Sequence, residues 1–301
     1  MTRRSLLSLS GGAWLWGQQQ VNLAPLLDRL SEEAEIFFRS ITRVVGTETL
    51  RQKAQKPERR FRPRLGSAPP ETPQWTNKEV ISEFGVSSFE ESGGLLHEVR
   101  KVQQVDGRQV LRAGEARMSL ALDMRSREDS VRRKLLLDLK QHGLSDVATD
   151  FTLSMLIFRK QAVRGLVFGP ARQARLGADD VLAVRFAQRD GEGEFTVFNG
   201  NQTFKQKLQG EVWLRLPDGV PLRVVLVAAS PGDRGVTILD EGQTDYFPSA
   251  QGYLLPASVV HRRYYNKQMF VEGVFTYQRF QRFTADAEIR FEEVETAPAR
   301  P

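Results

Sequence analysis

The sequence predicts an α+β protein: a strongly curved antiparallel sheet, or half-barrel, of about a dozen strands packed on an N-terminal helix and a mid-chain helical pair. Three observations lead to this prediction. Residues 22 to 40 have the apolar spacing of an amphipathic helix, and residues 126 to 158 are helical or strongly apolar. Almost everything after residue 163 alternates apolar and polar residues between turn signals. Because open twisted sheets rarely exceed roughly ten strands, so long a sheet is expected to curl around the helices.

The composition is that of a folded protein. Of 301 residues, 40% are hydrophobic and 27% are charged, and the formal net charge is +6. This basic excess is mild. The chain has no cysteine, which excludes disulfides, thiolate catalysis, iron–sulfur clusters, sulfur-based zinc sites and a lipid anchor on cysteine.

The first twenty residues, MTRRSLLSLSGGAWLWGQQQ, place two arginines before a short apolar stretch. This stretch is shorter than the roughly 20 residues that a membrane-spanning helix needs. We expect residues 1 to 17 to be a signal peptide cleaved after Gly17, and the protein to be periplasmic. The pair Arg3 and Arg4 resembles the twin-arginine export consensus, and the general secretory route stays open.

The first elements after this segment are a helix, a strand and a loop. The helix is predicted over residues 22 to 40, where Pro25 falls in the first turn and its missing N–H is harmless. Residues 42 to 55 are rich in Thr and Val, which favours a strand. Residues 56 to 75 are rich in proline and arginine and predict a long mobile loop.

A hairpin and a helical region occupy the middle of the chain. Asp106-Gly107 is a typical two-residue turn between alternating flanks. Residues 126 to 143 predict a helix that ends at Gly143. The segment from residue 146 to 160 is the most apolar of the mature chain, and its unbroken hydrophobicity predicts either a buried helix or a central strand.

The remaining chain predicts strands in consecutive hairpins, which must pair antiparallel because their connections are tight turns. With no helices between them, a doubly wound α/β fold is not expected. The predicted strands lie near residues 164–169, 179–188, 193–199, 203–216, 220–230, 234–247, 252–266, 269–283 and 286–293. We expect one domain over residues 18 to 295 and a disordered tail at 296–301.

Several strand phrases resemble those of uncharacterised exported bacterial proteins with the LolA-type half-barrel of lipoprotein carriers. These phrases are GEVWL (210–214), PLR (221–223), GYLLPASV (252–259) and FTYQRF (275–280). The resemblance implies an apolar cavity, between sheet and helices, for an acyl chain or a lipidated partner. The implied ligand-binding residues are Met155, Leu156, Phe158, Leu222, Val224, Leu226, Phe275 and Tyr277. The alternative that these side chains are packed core stays open.

The sequence predicts no catalytic residue, cofactor or metal site. The histidines His97, His142 and His261 form no metal-binding spacing, and no nucleophile-elbow or nucleotide-binding motif is present. Two alternatives stay open because side chains can meet in space: a metal site from His261, Asp245 and Glu241, and a hydrolase site assembled only by the fold.

Two basic segments contain aromatic residues. The first, Arg59, Arg60, Arg62 and Arg64 around Phe61, predicts a surface basic patch that transiently contacts anionic lipid headgroups, or else a solvated loop. The second, at residues 262 to 267, is equally explained by a strand face. Nucleic acid is not expected as a partner of an exported protein.

These patterns together predict a monomeric exported carrier that binds a lipid, an acyl chain or a lipidated protein. The alternatives are a hydrolase and an envelope protein-interaction or sensor module that binds through a sheet edge.

Overall fold

The computed structural model describes residues 22–56, 73–89, 95–126, 128, 130, 134, 137, 139, 141–145, 150–189, 195–199, 202–206, 208–231, 236–284 and 290–295. The predicted signal peptide, the tail at 296–301 and most of the loop at 56–75 lie outside these residues. The same holds for the basic patch of Arg59, Arg60, Arg62 and Arg64.

Within the described residues, two α-helices, two stretches of 3-10 helix and fourteen strands have defined bounds, and further helical residues lie between 130 and 141. The helices are α1 (Leu23–Ile41), α2 (Ala113–Ser126), a long 3-10 helix (Phe151–Phe158) and a single 3-10 turn (Val163–Gly165). The strands are β1 (Val44–Gln55), β2 (Trp75–Ser88), β3 (Leu96–Val105), β4 (Arg108–Gln109), β5 (Leu166–Leu176), β6 (Asp179–Gln188), β7 (Phe195–Asn199), β8 (Gln202–Gln206), β9 (Leu208–Arg215), β10 (Pro221–Pro231), β11 (Thr237–Pro248), β12 (Leu254–Tyr265), β13 (Gln268–Thr284) and β14 (Arg290–Glu295).

Twelve of these strands form one open, strongly curved antiparallel sheet, so the predicted α+β half-barrel is confirmed. The strand order is β4-β3-β2-β1-β13-β12-β11-β10-β9-β6-β5, with β14 paired to β13, and β7 and β8 form a separate hairpin. Most neighbours follow each other in sequence. Strand β1 is an exception: one of its neighbours is β13, more than 200 residues later in the sequence, so this pairing joins an early part of the chain to a late one.

The predicted hairpin turn at Asp106-Gly107, and a second turn at Asn266-Lys267, carry the backbone geometry that such turns require. Asp106 and Gly107 have φ angles of 47° and 80°, and Asn266 and Lys267 have φ angles of 47° and 69°. Positive φ at both central residues gives the turn whose twist matches the flanking strands. These turns set the registers of the β3–β4 and β12–β13 hairpins.

The inner face of the sheet, defined as the face covered by α1 and the 3-10 helix, carries the main core. Helix α1 begins after Asn22, whose side chain accepts a hydrogen bond from the Ala24 N–H. It buries one stripe, including Leu30, Ala34 and Phe37, in the core that also contains the 3-10 helix. Leu139 belongs to the same core, and residues 130, 134, 137, 139 and 141 are helical, as predicted for residues 126 to 143.

The outer face carries a second, smaller core under α2, a helix that the sequence pattern did not predict. Leu120, Ala121 and Met124 pack there against Val45 of β1 and Val99 of β3. In this segment every second residue from 118 to 124 is Met or Leu, a spacing that conceals the helical period. The members that point away from the sheet, Met118 and Leu122, are exposed.

None of the described helices combines the length and the apolar character that a membrane crossing requires.

We predict that Gly242→Ala in β11 destabilises the fold by about 1–3 kcal/mol, because the added methyl group would overlap with the Phe151 ring at the start of the 3-10 helix. Urea unfolding measures the change. Gly114→Ala in α2 is the matched control, because a Cβ there meets nothing within 4 Å and alanine favours a helix. Equal stability of the two variants would contradict tight packing of the 3-10 helix on β11.

Candidate ligand-binding site

The eight residues that the resemblance implies as ligand contacts lie together in the structure. Three come from the 3-10 helix, three from β10 and two from β13. Leu156 is partly buried, and the other seven are buried members of the inner core. Burial is expected of a packed core and of a ligand-lined interior alike, so the ligand-binding role of these residues stays a prediction.

The 3-10 helix is attached to the inner face mainly through polar side chains of the sheet. The Tyr246 hydroxyl on β11 donates to the Thr152 carbonyl at 2.8 Å and accepts from the Met155 N–H at 3.2 Å. It also lies 2.9 Å from Ser154 Oγ. Burial raises the pKa of Tyr246, with the Glu98 charge in the same direction, so its phenol keeps the proton that it donates.

The start of the 3-10 helix is bonded by strand β3. The Glu98 Oε1 atom accepts from both the N–H and the hydroxyl of Thr152, at 2.7 and 2.6 Å. Asp150, which precedes the helix with φ of 71°, accepts from the Glu98 N–H at 2.8 Å. Its other carboxylate oxygen lies 3.0 Å from His97 Nδ1. The backbone polar groups at the helix start are therefore bonded by strand side chains.

Helix α1 also contacts this element. The Phe37 ring packs edge-on against Tyr246, with ring centroids 5.7 Å apart. Glu35 accepts hydrogen bonds from Arg159, the residue that follows the 3-10 helix, and Arg159 also lies 3.6 Å from the centre of the Phe38 ring. The 3-10 helix is therefore enclosed between α1 and the sheet.

A charged cluster lies within the inner face. Arg100 on β3 donates from Nε and Nη2 to the two carboxylate oxygens of Glu48 on β1, at 2.7 and 2.8 Å. Nη2 also donates to Glu98 Oε2 at 2.6 Å. The side chains of all three residues are only 2% exposed. We call Glu48, Glu98 and Arg100 the inner charge cluster.

Aromatic rings surround this cluster. The Arg100 guanidinium lies 5.7 Å from the centre of the Phe84 ring and 5.4 Å from that of Phe275. Tyr277 is hydrogen-bonded to Glu48. Phe275 and Tyr277 are two of the predicted ligand contacts, so the inner charge cluster adjoins the predicted apolar site.

Burial and neighbouring charges shift the pKa values of the inner charge cluster. Burial raises the pKa of Glu98, and the charges of Asp150 and Glu48 raise it further, against the lowering effects of Arg100 and of the Thr152 hydrogen bond. For Arg100, burial lowers the pKa, but Glu48 and Glu98 outweigh it and leave the pKa above its ordinary value. The guanidinium is therefore charged at any physiological pH.

A second buried polar group lies on β11 and β12. His261 Nε2 is 2.8 Å from Asp240 Oδ1, and the same oxygen accepts from Arg263 Nε at 2.8 Å. Burial raises the pKa of Asp240, but the hydrogen bonds from His261 and Arg263 outweigh it and lower the pKa below its ordinary value. The Phe151 ring covers His261, with ring centroids 4.9 Å apart.

The structure does not bring together the three residues of the alternative metal site. His261 pairs across the strands with Gly242, whereas Glu241 and Asp245 are one and three residues away from Gly242 on β11 and so point to the other face. Asp245 is bonded to Arg223, and Glu241 accepts from the Tyr264 hydroxyl. Among the described residues, no three His, Asp or Glu side chains are grouped as metal ligands.

The sequence carries only a weak signal of the inner charge cluster, which was not predicted from it. Glu48 is two residues from Leu50 on β1, and Arg100 is two residues from Val102 on β3, so each charged residue lies on the same strand face as an apolar one. A charged residue in the apolar register of a strand indicates a buried polar contact. The identity of the partner comes only from the fold.

Fold and site define this chain as an α+β half-barrel protein with a charged cluster inside an apolar interior. No protein family model and no curated protein matches its sequence. A solved structure of a DUF1329 family protein from Desulfovibrio piger aligns with 8% identity and a TM-score of 0.38, covering 88% of this chain and 95% of that one. A likeness this weak does not assign the chain to that family.

We predict that Tyr246→Phe lowers the free energy of unfolding by about 1–3 kcal/mol, because it leaves the Thr152 carbonyl and the Met155 N–H without their hydroxyl partner. Urea unfolding measures the loss. Tyr264→Phe, which removes one 3.3 Å contact to Glu241 in a partly exposed position, is the control and should change stability by under about 0.5 kcal/mol. Indistinguishable variants would show that the Tyr246 hydroxyl does not hold the 3-10 helix.

The raised pKa of Glu98 predicts a pH dependence of stability. A group whose pKa is raised in the folded state contributes stability that is complete below its ordinary value of 4.5 and is lost as the pH rises through the folded value. The difference in unfolding free energy between wild type and Glu98→Gln should therefore fall as the pH rises from 4.5.

Glu35 is the matched control for this measurement. Burial raises its pKa, but the hydrogen bond and charge of Arg159 outweigh burial and lower it below 4.5. Its stabilising contribution is present above 4.5 and is lost as the pH falls through the folded value. Glu35→Gln should therefore show the opposite slope in urea unfolding across the pH range, and equal slopes would contradict the assignment.

Proposed function

We propose that this protein is an exported periplasmic carrier that binds the acyl chain of a lipid or of a lipidated partner protein against the inner face of its sheet. The observation that supports this proposal is that a 3-10 helix, Phe151–Phe158, covers that face. Eight residues of 3-10 helix with buried apolar side chains lie on an apolar sheet surface and are attached to it by side-chain hydrogen bonds.

A 3-10 helix of this length has little stability of its own. Its hydrogen bonds have poorer geometry than those of an α-helix, and runs longer than three or four residues are uncommon. The segment therefore depends on its contacts with Glu98, Thr244 and Tyr246. An acyl chain that inserts between its apolar side chains and the sheet keeps the inner face covered, so little apolar surface is exposed.

The driving force for such binding is apolar burial. At roughly 0.8 kcal/mol for each buried CH₂, about ten methylene groups contribute on the order of 8 kcal/mol before the cost of association. No catalytic group is needed. The predicted signal peptide at residues 1–17 would take the protein to a compartment bounded by lipid membranes, and the basic patch at Arg59, Arg60, Arg62 and Arg64 would contact their anionic headgroups.

The hydrolase alternative has less support from the described site. His261 and Asp240 form a buried histidine–carboxylate pair, but the Phe151 ring covers the imidazole and Arg263 shares the same carboxylate oxygen. This arrangement suits the attachment of the 3-10 helix better than the activation of a nucleophile.

We predict that the mature chain, purified from the envelope fraction of cells that export it, carries an acyl-containing molecule. Native mass spectrometry before and after organic extraction detects the adduct, and analysis of the extract identifies it. A chain that is consistently free of ligand, and that after extraction fails to bind a fluorescent hexadecanoyl probe, would overturn the carrier proposal.

A pair of surface variants locates the binding face. Leu156→Lys places a charge at the partly buried edge of the predicted site and should weaken binding of the hexadecanoyl probe by about tenfold or more. Leu122→Lys on the exposed side of α2 is the control and should leave binding unchanged. Near-ultraviolet circular dichroism checks that both variants keep the native packing.

A further inference from the structure

We propose that Arg100 recognises the polar end of the acyl ligand by donating a hydrogen bond from Nη1 to a neutral carbonyl oxygen, so that the protein binds acyl esters and amides in preference to free fatty acids. This inference rests on the proposed carrier function and adds the chemical class of the ligand.

The Nη1 atom is the reason for choosing Arg100. The other two guanidinium nitrogens donate to Glu48 and Glu98. Nη1 is fully buried, and no atom of the described residues accepts a hydrogen bond from it. A buried donor without an acceptor is destabilising, and on a charged group the cost is greater. A ligand that supplies an acceptor removes this cost, which gives it an affinity that a purely apolar chain lacks.

The surroundings of Arg100 match an acyl group next to a carbonyl. The guanidinium lies against the Phe84 and Phe275 rings, and Tyr277 adjoins it through Glu48. Ligand sites commonly combine such an apolar lining with a small number of polar groups that fix the orientation of the ligand. A chain running along Phe275 and Tyr277 would bring its polar end to Arg100.

The two carboxyl groups of the inner charge cluster decide which acceptor fits. Glu48 and Glu98 both lie within hydrogen-bond distance of the same guanidinium. Glu48 already pairs with the guanidinium through both carboxylate oxygens, so an anionic ligand oxygen at Nη1 would be repelled by that carboxylate in a poorly hydrated interior. An ester or amide carbonyl accepts the same hydrogen bond without that repulsion. A cationic group or a hydrogen-bond donor does not fit at Nη1, because every guanidinium nitrogen is itself a donor.

The same cluster links recognition to the cover of the inner face. Thr152 at the start of the 3-10 helix bonds to Glu98, and Glu98 bonds to Arg100. A ligand that inserts beneath the helix separates Thr152 from Glu98 and exposes the neighbourhood of Arg100. Its carbonyl then accepts a hydrogen bond from Nη1, which offsets one of the two hydrogen bonds that Glu98 accepted from Thr152.

The first test compares two ligands of equal chain length. Methyl hexadecanoate and hexadecanoic acid are each titrated, at a pH where the free acid is ionised, against the extracted mature protein holding the fluorescent hexadecanoyl probe. We expect the ester to compete about tenfold or more better than the acid. Equal competition, or better competition by the acid, overturns the role of Arg100 and leaves the carrier function standing. Failure of both ligands and of the probe to bind overturns both proposals.

The second test removes Nη1 while keeping the positive charge. Arg100→Lys still places a cation between Glu48 and Glu98, and we expect it to bind the probe but to lose the ester preference. Arg117→Lys is the control, because Arg117 bonds to Glu83 beneath α2 on the outer face, and it should retain the preference. An Arg100→Lys variant that keeps the full ester preference overturns the inference.

A third measurement covers the case in which Arg100→Lys does not fold. The carbonyl ¹³C resonance of labelled methyl hexadecanoate bound to the wild-type protein reports its hydrogen bonding. We expect a downfield shift relative to the ester in an alkane solvent, because the charged guanidinium polarises the carbonyl. A resonance at the alkane position shows an apolar environment and overturns the inference.

Discussion

The curvature of the sheet is coupled to the eight-residue 3-10 helix that lies inside it. Thr152 bonds to Glu98 on β3 and to Tyr246 on β11. These two strands are five steps apart in the sheet, which would separate them by roughly 24 Å if the sheet were flat, at about 4.8 Å for each step. Two side chains cannot span that distance to one threonine. The sheet must therefore curl until both strands face the same turn of helix.

The elements with strong local signals could be predicted from sequence, and those that depend on tertiary packing could not. The period of α1 and the turn at Asp106-Gly107 are local properties. The apolar run at Phe151–Phe158 has no period, so sequence left helix and strand open; the structure makes it a 3-10 helix because side chains of the sheet bond its backbone. Helix α2 was missed because Met118 and Leu122 are apolar on its exposed side.

The site was predictable in part for the same reason. The apolar contacts follow from alternation along β10 and β13, which determines the face of each residue. The inner charge cluster joins β1 to β3 across β2, and the register of β2 on β3 shifts at an irregularity between Ile81 and Ser82. No sequence spacing encodes that shift. Alternation within β11 places Glu241 and Asp245 on one face, but their separation from His261 comes from the register that pairs His261 of β12 with Gly242. The metal alternative could therefore be excluded only from the fold.

Stability alone does not explain a charged cluster in this interior. Replacing a buried ion pair by apolar residues of similar volume is often neutral or stabilising, because the desolvation cost of the charges offsets their attraction. The ion pair of Arg117 and Glu83 under α2 has a smaller desolvation cost than the inner charge cluster, because the Arg117 side chain is 19% exposed and retains contact with water. The inner cluster has no such contact, yet it bonds to the helix that covers the face through Thr152. Its position therefore fits a group that binds whatever covers the inner face, which is the 3-10 helix in this structure and an acyl ligand in the proposed loaded state.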